Sequence, residues 1–160
     1  MGSPVRQRLG LVAAALWWGS LTALGFVIVP LLFLHLATPA TAGALAAKLF
    51  SAQTWLSTGC ALLMLMAFNQ PGPALQAPPP WVRALVKWIV AGLLLALLVE
   101  FGVAPRIISA RAEGANLRLW HGLGSAMYFA QWLCASLALW RLTARLDSTT
   151  TAGHETGNLT

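Results

Sequence analysis

The segment LLLALLVEFGVAPRI, residues 93 to 107, contains a single carboxylate, Glu100, at the end of a run of apolar residues. An ionisable residue inside a membrane helix is costly, usually faces the interior of the helix bundle, and marks a functional position by default. Ala96 and Gly92 precede Glu100 at helical spacing, so the carboxylate is predicted to share a face with small residues and to face protein. With water access, such a group can handle protons or small ions.

Polar side chains from other predicted helices are expected near the depth of Glu100. This residue lies about 7.5 Å of helical rise below the outer end of its helix, and His121 is predicted at nearly the same depth on the last helix. A contact between Glu100 and His121 would favour the charged form of each partner. Ser125 and Tyr128 continue the face of His121 at helical spacing. The predicted intramembrane polar site consists of Glu100, Arg106, His121, Gln53 and Ser125.

Metal or haem ligation is an alternative chemistry on the same side of the protein. Copper and haem iron accept imidazole nitrogen ligands, and such a site needs two or more convergent donors. His35 and His121 are the two candidates near the outer ends of their predicted helices. Cys60 and Met64 have a spacing that a copper(I) site could use, although ordinary helix packing is the favoured interpretation. The sequence favours no cofactor, with haem or copper as the alternative.

Several function classes are disfavoured by what the sequence lacks. It contains no glycine-rich phosphate loop, no H-E-x-x-H or C-x-x-C motif, and no nucleophilic serine with an evident base. We therefore predict a non-enzymatic protein. The ten lysines and arginines give a formal net charge of +6, but they are scattered and form no patch with interleaved aromatic residues. No nucleic-acid partner is expected.

The composition indicates an integral membrane protein. Of 160 residues, 58% are hydrophobic and 9% are charged, whereas about a quarter are charged in soluble domains. Four apolar stretches reach the roughly 20 residues that cross a hydrocarbon core, at residues 11–34, 49–68, 81–104 and 119–142. We predict an all-α, integral membrane four-helix bundle over residues 1–145, in contact with the lipid bilayer. Residues 146–160 are threonine-rich and are predicted to form a disordered cytoplasmic tail.

Charge and tryptophan positions predict the orientation in the membrane. With both termini inside, six of the ten basic residues fall on the inner side and four on the outer side. This distribution favours cytoplasmic termini in a cell inner membrane. Trp81, Trp88 and Trp140 then lie near the inner interface, as in an aromatic belt. Trp17 and Trp18 fit the same belt if the arginine-bearing start of the first helix lies along the lipid headgroups. Trp132, near mid-helix, is expected to pack between helices.

A short internal repeat and stripes of small residues bear on assembly. Phe26-Val-Ile-Val-Pro30 and Phe101-Gly-Val-Ala-Pro105 lie near the outer ends of the first and third helices, which would make the bundle two parallel hairpins. Small residues at every fourth position let helices approach closely in lipid. The stripes are Ala15, Gly19 and Ala23; Gly92 and Ala96; and Gly122, Ala126, Ala130, Cys134 and Ala138. A stripe left facing lipid would favour a homo-oligomer or a role within a membrane complex.

Three segments carry a family resemblance: AGALAAKLFSAQTWLSTGCALL at residues 42–63, APRI at 104–107 and RLWHGLGS at 118–125. They resemble the transmembrane protein 205-like family, known in bacteria as a domain of unknown function. The resemblance covers about residues 9–142. It implies a four-helix membrane protein, with a link to platinum-drug resistance for the animal members and no established reaction. It also gives weight to Arg106 and His121.

The sequence thus predicts a non-enzymatic multi-pass membrane protein whose outer-side polar layer stabilises the bundle or supports the passage of a small molecule or ion. One alternative is a metal- or haem-binding membrane protein that uses His121 and His35. Another is an accessory or scaffold subunit of a membrane complex.

Overall fold

This computed structural model describes residues 4–68, 78–113 and 116–157. These residues contain four helices. Helix α1 comprises Pro4–Ala23, a π-helical turn at Leu24–Ile28, and Val29–His35. Helix α2 is Pro39–Phe68. Helix α3 comprises Pro80–Leu98, a second π-helical turn at Val99–Val103, and Ala104–Glu113, and helix α4 is Leu117–Gly157. No strand occurs in these ranges, so the predicted all-α, four-helix class is confirmed.

Local sequence signals set the helix ends. Pro39 and Pro80 are the first residues of α2 and α3, a position that tolerates proline because its N–H would have no helical partner. Thr38 precedes α2, and its hydroxyl accepts a 3.2 Å hydrogen bond from the Thr41 N–H. At the start of α4, Asn116 Oδ1 accepts a bond of 3.4 Å from the Leu119 N–H. These caps satisfy N–H groups that the helices leave open.

Three of the four helices are long and apolar enough to cross a membrane, namely Val5–His35, Pro39–Phe68 and Pro80–Arg111. The sequence predicts a fourth span, and α4 packs in the same bundle against α1 and α3. Within its predicted span α4 carries Tyr128, Gln131 and Ser136, and these polar residues lower its mean hydropathy. The three apolar helices support a membrane location and contact with the lipid bilayer.

Helix α4 extends further than expected. Its backbone is helical through Gly157, where the sequence predicts a disordered tail from residue 146. No proline follows Leu142, so each backbone N–H in this extension can bond to the carbonyl four residues earlier without tertiary contacts. Residues 158–160 of the predicted tail lie outside the described residues, and the limit of the membrane domain at residue 145 stays a prediction.

The core is formed by the inward faces of all four helices. Its largest fully buried apolar side chains are Trp17, Leu21, Met64, Leu85 and Ile89. The prediction that Trp17 lies in an interfacial belt is wrong, because its side chain is 0% exposed. Trp17 shares a helical face with Ala14 and Leu21, which are also fully buried, so the face of α1 decides its environment. Trp132 packs between helices as predicted, beside Phe26 of α1.

The two short repeat motifs adopt the same local structure. Each begins inside a π-helical turn, and each turn ends two residues before its proline, Pro30 in α1 and Pro105 in α3. The second helices of the two halves correspond as well, because their buried positions have the same spacing. Ser57, Cys60, Ala61 and Met64 of α2 match Gln131, Cys134, Ala135 and Ala138 of α4. These correspondences support two related hairpins, α1–α2 and α3–α4.

Candidate functional site

Glu100 lies in the π-helical turn of α3 and is held by Ser51 of α2. The Ser51 hydroxyl donates a 2.6 Å hydrogen bond to Oε1 of Glu100, and both residues are half-buried. Glu100 is the only acidic residue within the three spanning segments of the described structure. The contact therefore places one ionisable group at the seam between α2 and α3.

The structure gives Glu100 a different partner from the predicted His121. His121 is exposed on α4 and forms no ion pair with the carboxylate. At this level α4 meets another face of α3, where a Cβ atom on Gly124 would lie 3.5 Å from Val103 Cγ1. Ser125, on the same side of α4 as His121, is also exposed. The sequence correctly indicated that Glu100 faces a neighbouring helix, but it did not indicate which one.

The other residues predicted to lie near Glu100 have separate environments. Arg106 is exposed, and its guanidinium lies 4.9 Å from the centroid of the Trp120 ring, a cation–π contact between α3 and α4. His35 is the last residue of α1 and is exposed. The described residues contain no group of three or more His, Cys, Asp or Glu side chains that could hold a metal ion. A site at His35 and His121 would need further ligands to complete it.

A buried hydrogen-bond network joins three helices next to the Glu100 seam. Gln53 Nε2 donates to the Ser20 hydroxyl at 2.9 Å and to the Ser57 hydroxyl at 3.2 Å. Gln131 Nε2 donates to the same Ser57 hydroxyl at 3.1 Å. The network links α1, α2 and α4, and the side chains of Gln53, Ser57 and Gln131 are buried. Because these polar groups satisfy one another away from water, the network favours one arrangement of the helices.

Sequence reasoning identified only Gln53 of this network. Gln131 is a polar residue in an apolar run, which is the same signal that marks Glu100 in the sequence. Ser57 follows Gln53 at i, i+4 spacing, which is also visible in the sequence. Ser20 and Ser51 gave no signal, because serine is common on membrane helices and commonly bonds to its own backbone.

A second set of contacts joins α1 to α4. Tyr128 donates a 2.9 Å hydrogen bond to the Leu21 carbonyl, and Trp132 Nε1 donates a 2.9 Å bond to the Thr22 hydroxyl. The Tyr128 ring lies against Gly25, where a Cβ atom would be only 2.7 Å from Cε1. This close approach explains why the first π-helical turn carries glycine at a position where the second carries Glu100.

At the other end of the bundle, basic residues pack on aromatic rings. The guanidinium of Arg141 lies 5.9 Å from the Trp88 ring centroid, and that of Arg145 lies 5.1 Å from the Trp81 ring centroid. Arg6 Nη2 donates a 2.7 Å hydrogen bond to the Met66 carbonyl at the end of α2. These contacts gather basic and aromatic residues at the end of the bundle where α1 begins and α2 ends. That this end lies at the inner membrane interface stays a prediction.

The small-residue stripes differ in burial, and the α4 stripe is exposed at Gly122 and Ala126 but buried at Cys134 and Ala138. Gly92 and Ala96 of α3 are buried, as predicted. On α1, Ala15 and Ala23 are exposed, and nothing lies within 4 Å of a Cβ atom built on Gly19. The α1 stripe therefore faces outward. Cys60 and Met64 are buried in the apolar core, in agreement with the packing interpretation.

Chemically, the arrangement offers one carboxylate that can exchange a proton or bind a cation, beside a network of neutral groups. A family model described as "Domain of unknown function (DUF4149)" matches residues 12–116. The matched region contains Ser51, Gln53 and Glu100, whereas Gln131 lies beyond it. No curated protein and no solved structure matches the chain.

Proposed function

The chain belongs to the DUF4149 family, whose function is unknown, and we propose that it is a non-enzymatic multi-pass membrane protein that takes up a proton or a small cation at the Glu100–Ser51 pair. The buried network of Gln53, Ser57 and Gln131 serves as the rigid frame of this site. The same outer-side layer therefore stabilises the bundle and handles an ion.

The observation that carries the proposal is the hydrogen bonding of Glu100. Its carboxylate lies in an apolar span, and its one described side-chain partner is the neutral Ser51 hydroxyl, at 2.6 Å. A carboxylate at this depth is costly as a bare ion. Neutralising it requires either a proton or a bound cation, and in this proposal either one reaches Glu100 from the membrane surface.

The proposed orientation and kinship follow from the sequence. We place both termini in the cytoplasm of a cell with an inner membrane, so that Glu100 is reached from the outer side. The segments at residues 42–63 and 104–107, which lie inside the matched family region, support kinship with the transmembrane protein 205-like family.

The test is ion flux into liposomes that contain the purified protein. Under an imposed gradient we expect wild-type protein to move protons or sodium ions faster than empty liposomes do, and Glu100→Gln to abolish the difference. Glu113→Gln is the matched control, because it removes a carboxylate at the end of the same helix. Equal flux in wild type and Glu100→Gln would refute the role of Glu100.

A second candidate function is that of a subunit in a membrane complex or homo-oligomer. The outward stripe of Ala15, Gly19 and Ala23 on α1 favours it, because small residues allow a second helix to approach closely in lipid. Gly19→Ile would then shift the protein to a smaller species on native gels of solubilised membranes. An unchanged species in this variant would count against the candidate.

A further inference from the structure

The π-helical turn of α3 leaves one backbone carbonyl without a helical donor. In a regular α-helix the Ala104 N–H would bond to the Glu100 carbonyl, but here it bonds to the Val99 carbonyl. The next residue is Pro105, which has no N–H to donate. The Glu100 carbonyl oxygen thus loses both of the donors that helical geometry could supply, and a backbone acceptor in this position needs another partner.

The related π-helical turn of α1 also leaves one backbone carbonyl without a helical donor. The Val29 N–H bonds to the Leu24 carbonyl, and Pro30 follows, so the Gly25 carbonyl also lacks a helical donor. The corresponding positions differ in their side chains, since α1 has glycine where α3 has Glu100. Only the α3 turn therefore places a carboxylate on the residue whose carbonyl is released.

Two oxygen ligands meet on the α2–α3 seam, namely the Glu100 carboxylate and the Ser51 hydroxyl. The released carbonyl belongs to the same residue, Glu100, and is a third oxygen available on α3. The Ser51 hydroxyl is fixed by its 2.6 Å bond to Oε1 and keeps lone pairs for a second interaction. Carboxylate, carbonyl and hydroxyl oxygens suit hard cations. Released carbonyls at breaks in membrane helices are a known means of binding Na⁺ in transporters.

The charge of the site selects a monovalent ion. One carboxylate supplies one negative charge, so a monovalent cation makes a neutral complex, whereas a divalent cation would leave a net positive charge in the span, which is costly. Nearby basic side chains do not supply the positive charge that would neutralise the Glu100 carboxylate. Arg106 lies over Trp120, His121 is exposed on α4, and Lys48 of α2 forms no ion pair with Glu100.

We propose that the Glu100 carboxylate, the Glu100 carbonyl and the Ser51 hydroxyl bind a hard monovalent cation of the Na⁺ class at the α2–α3 seam. This inference rests on the proposed function and specifies its ligand as a metal cation, not a proton. In this site the π-helical turn supplies the backbone ligand, the Glu100 carbonyl.

The test measures the thermal unfolding midpoint of the purified full-length protein in detergent, in NaCl and in choline chloride at equal ionic strength. Saturating Na⁺ is expected to raise the wild-type midpoint by about 5 °C. Glu100→Gln should abolish this shift. Pro105→Ala should reduce it at least by half, because the new N–H can bond to the Glu100 carbonyl. Pro30→Ala is the matched control and should keep the full shift, because its turn contains Gly25.

If Pro105→Ala fails to fold, direct ²²Na⁺ binding to immobilised protein provides a second readout. This experiment compares Ser51→Ala with its control, Ser125→Ala. We expect Ser51→Ala to lose at least half of the bound ion and Ser125→Ala to lose none.

A shift of the unfolding midpoint that persists in Glu100→Gln, or equal behaviour of each variant and its control, would overturn the cation site. No Na⁺ effect in wild type, together with proton flux that Glu100→Gln abolishes, would overturn the cation site alone. Absence of both would overturn the proposed function as well.

Discussion

The indole of Trp17 on α1 fills the space beside Gly92 on α3. A Cβ atom at position 92 would lie 2.6 Å from Trp17 Cη2 and 3.2 Å from Cys134 Cβ. Trp17 precedes Pro30 by thirteen residues and Gly92 precedes Pro105 by the same number, so the two positions correspond in the repeat. The large side chain of Trp17 in the α1–α2 hairpin thus fits against the missing side chain of Gly92 in the α3–α4 hairpin. The helices α1 and α3 pack mainly against α2 and α4, and the Trp17 ring reaches α3 at the point where Gly92 leaves room for it.

Gly92→Ala is therefore expected to destabilise the protein by about 1–3 kcal/mol, the usual cost of overpacking a core. The added methyl group meets a fully buried aromatic ring that has little room to move. Thermal unfolding in detergent measures the effect. Gly19→Ala is the matched control on α1, where the new Cβ meets nothing within 4 Å, so this change should leave the midpoint unchanged or raise it. Equal destabilisation by both changes would contradict the Trp17–Gly92 contact.

Ser57→Ala is expected to cost about 1–2 kcal/mol, because it removes one acceptor shared by two buried amides. Gln53 and Gln131 would both lose a partner in a place that water does not reach. Ser136→Ala is the control, since its hydroxyl donates only to the Trp132 carbonyl within its own helix, and its cost should stay below about 0.5 kcal/mol. In a double-mutant cycle, Ser57→Ala with Gln131→Leu should cost less than the sum of the single changes. Additive effects would show that the two residues act independently.

The limits of sequence reasoning are visible in Glu100. Apolar run length and composition predicted its helix, and the spacing to Ala96 and Gly92 predicted its inward face. The choice between Ser51 and His121 could not be predicted, because helical periodicity fixes a face but not the neighbour that covers it. That neighbour depends on how α2 and α4 pack around α3, which is a property of the whole bundle. The π-helical turns were likewise hidden, although the prolines that accompany them marked the repeat.

Cys60 and Cys134 are expected to resist thiol reagents in the folded protein. They are 3% and 6% exposed and occupy corresponding positions on α2 and α4. A maleimide probe should label neither within minutes in mild detergent and both after denaturation, because access limits the reaction of buried thiols. Ser109→Cys supplies the control, since residue 109 is exposed on α3 and should react at once. Rapid labelling of a native cysteine would contradict the packing of the core.

Reporter fusions are expected to place residue 155 inside the cell and residue 37 outside. Residue 37 lies in the connection between α1 and α2, at the end of the bundle that also carries His35 and Arg111. The opposite end of the bundle carries Arg6, Arg141 and Arg145, which the positive-inside rule assigns to the cytoplasm. Alkaline phosphatase, active only outside, and green fluorescent protein, fluorescent only inside, give opposite readouts at each position. The reverse pattern would place the Glu100 seam nearer the cytoplasm, and a cation bound there would then enter from inside the cell.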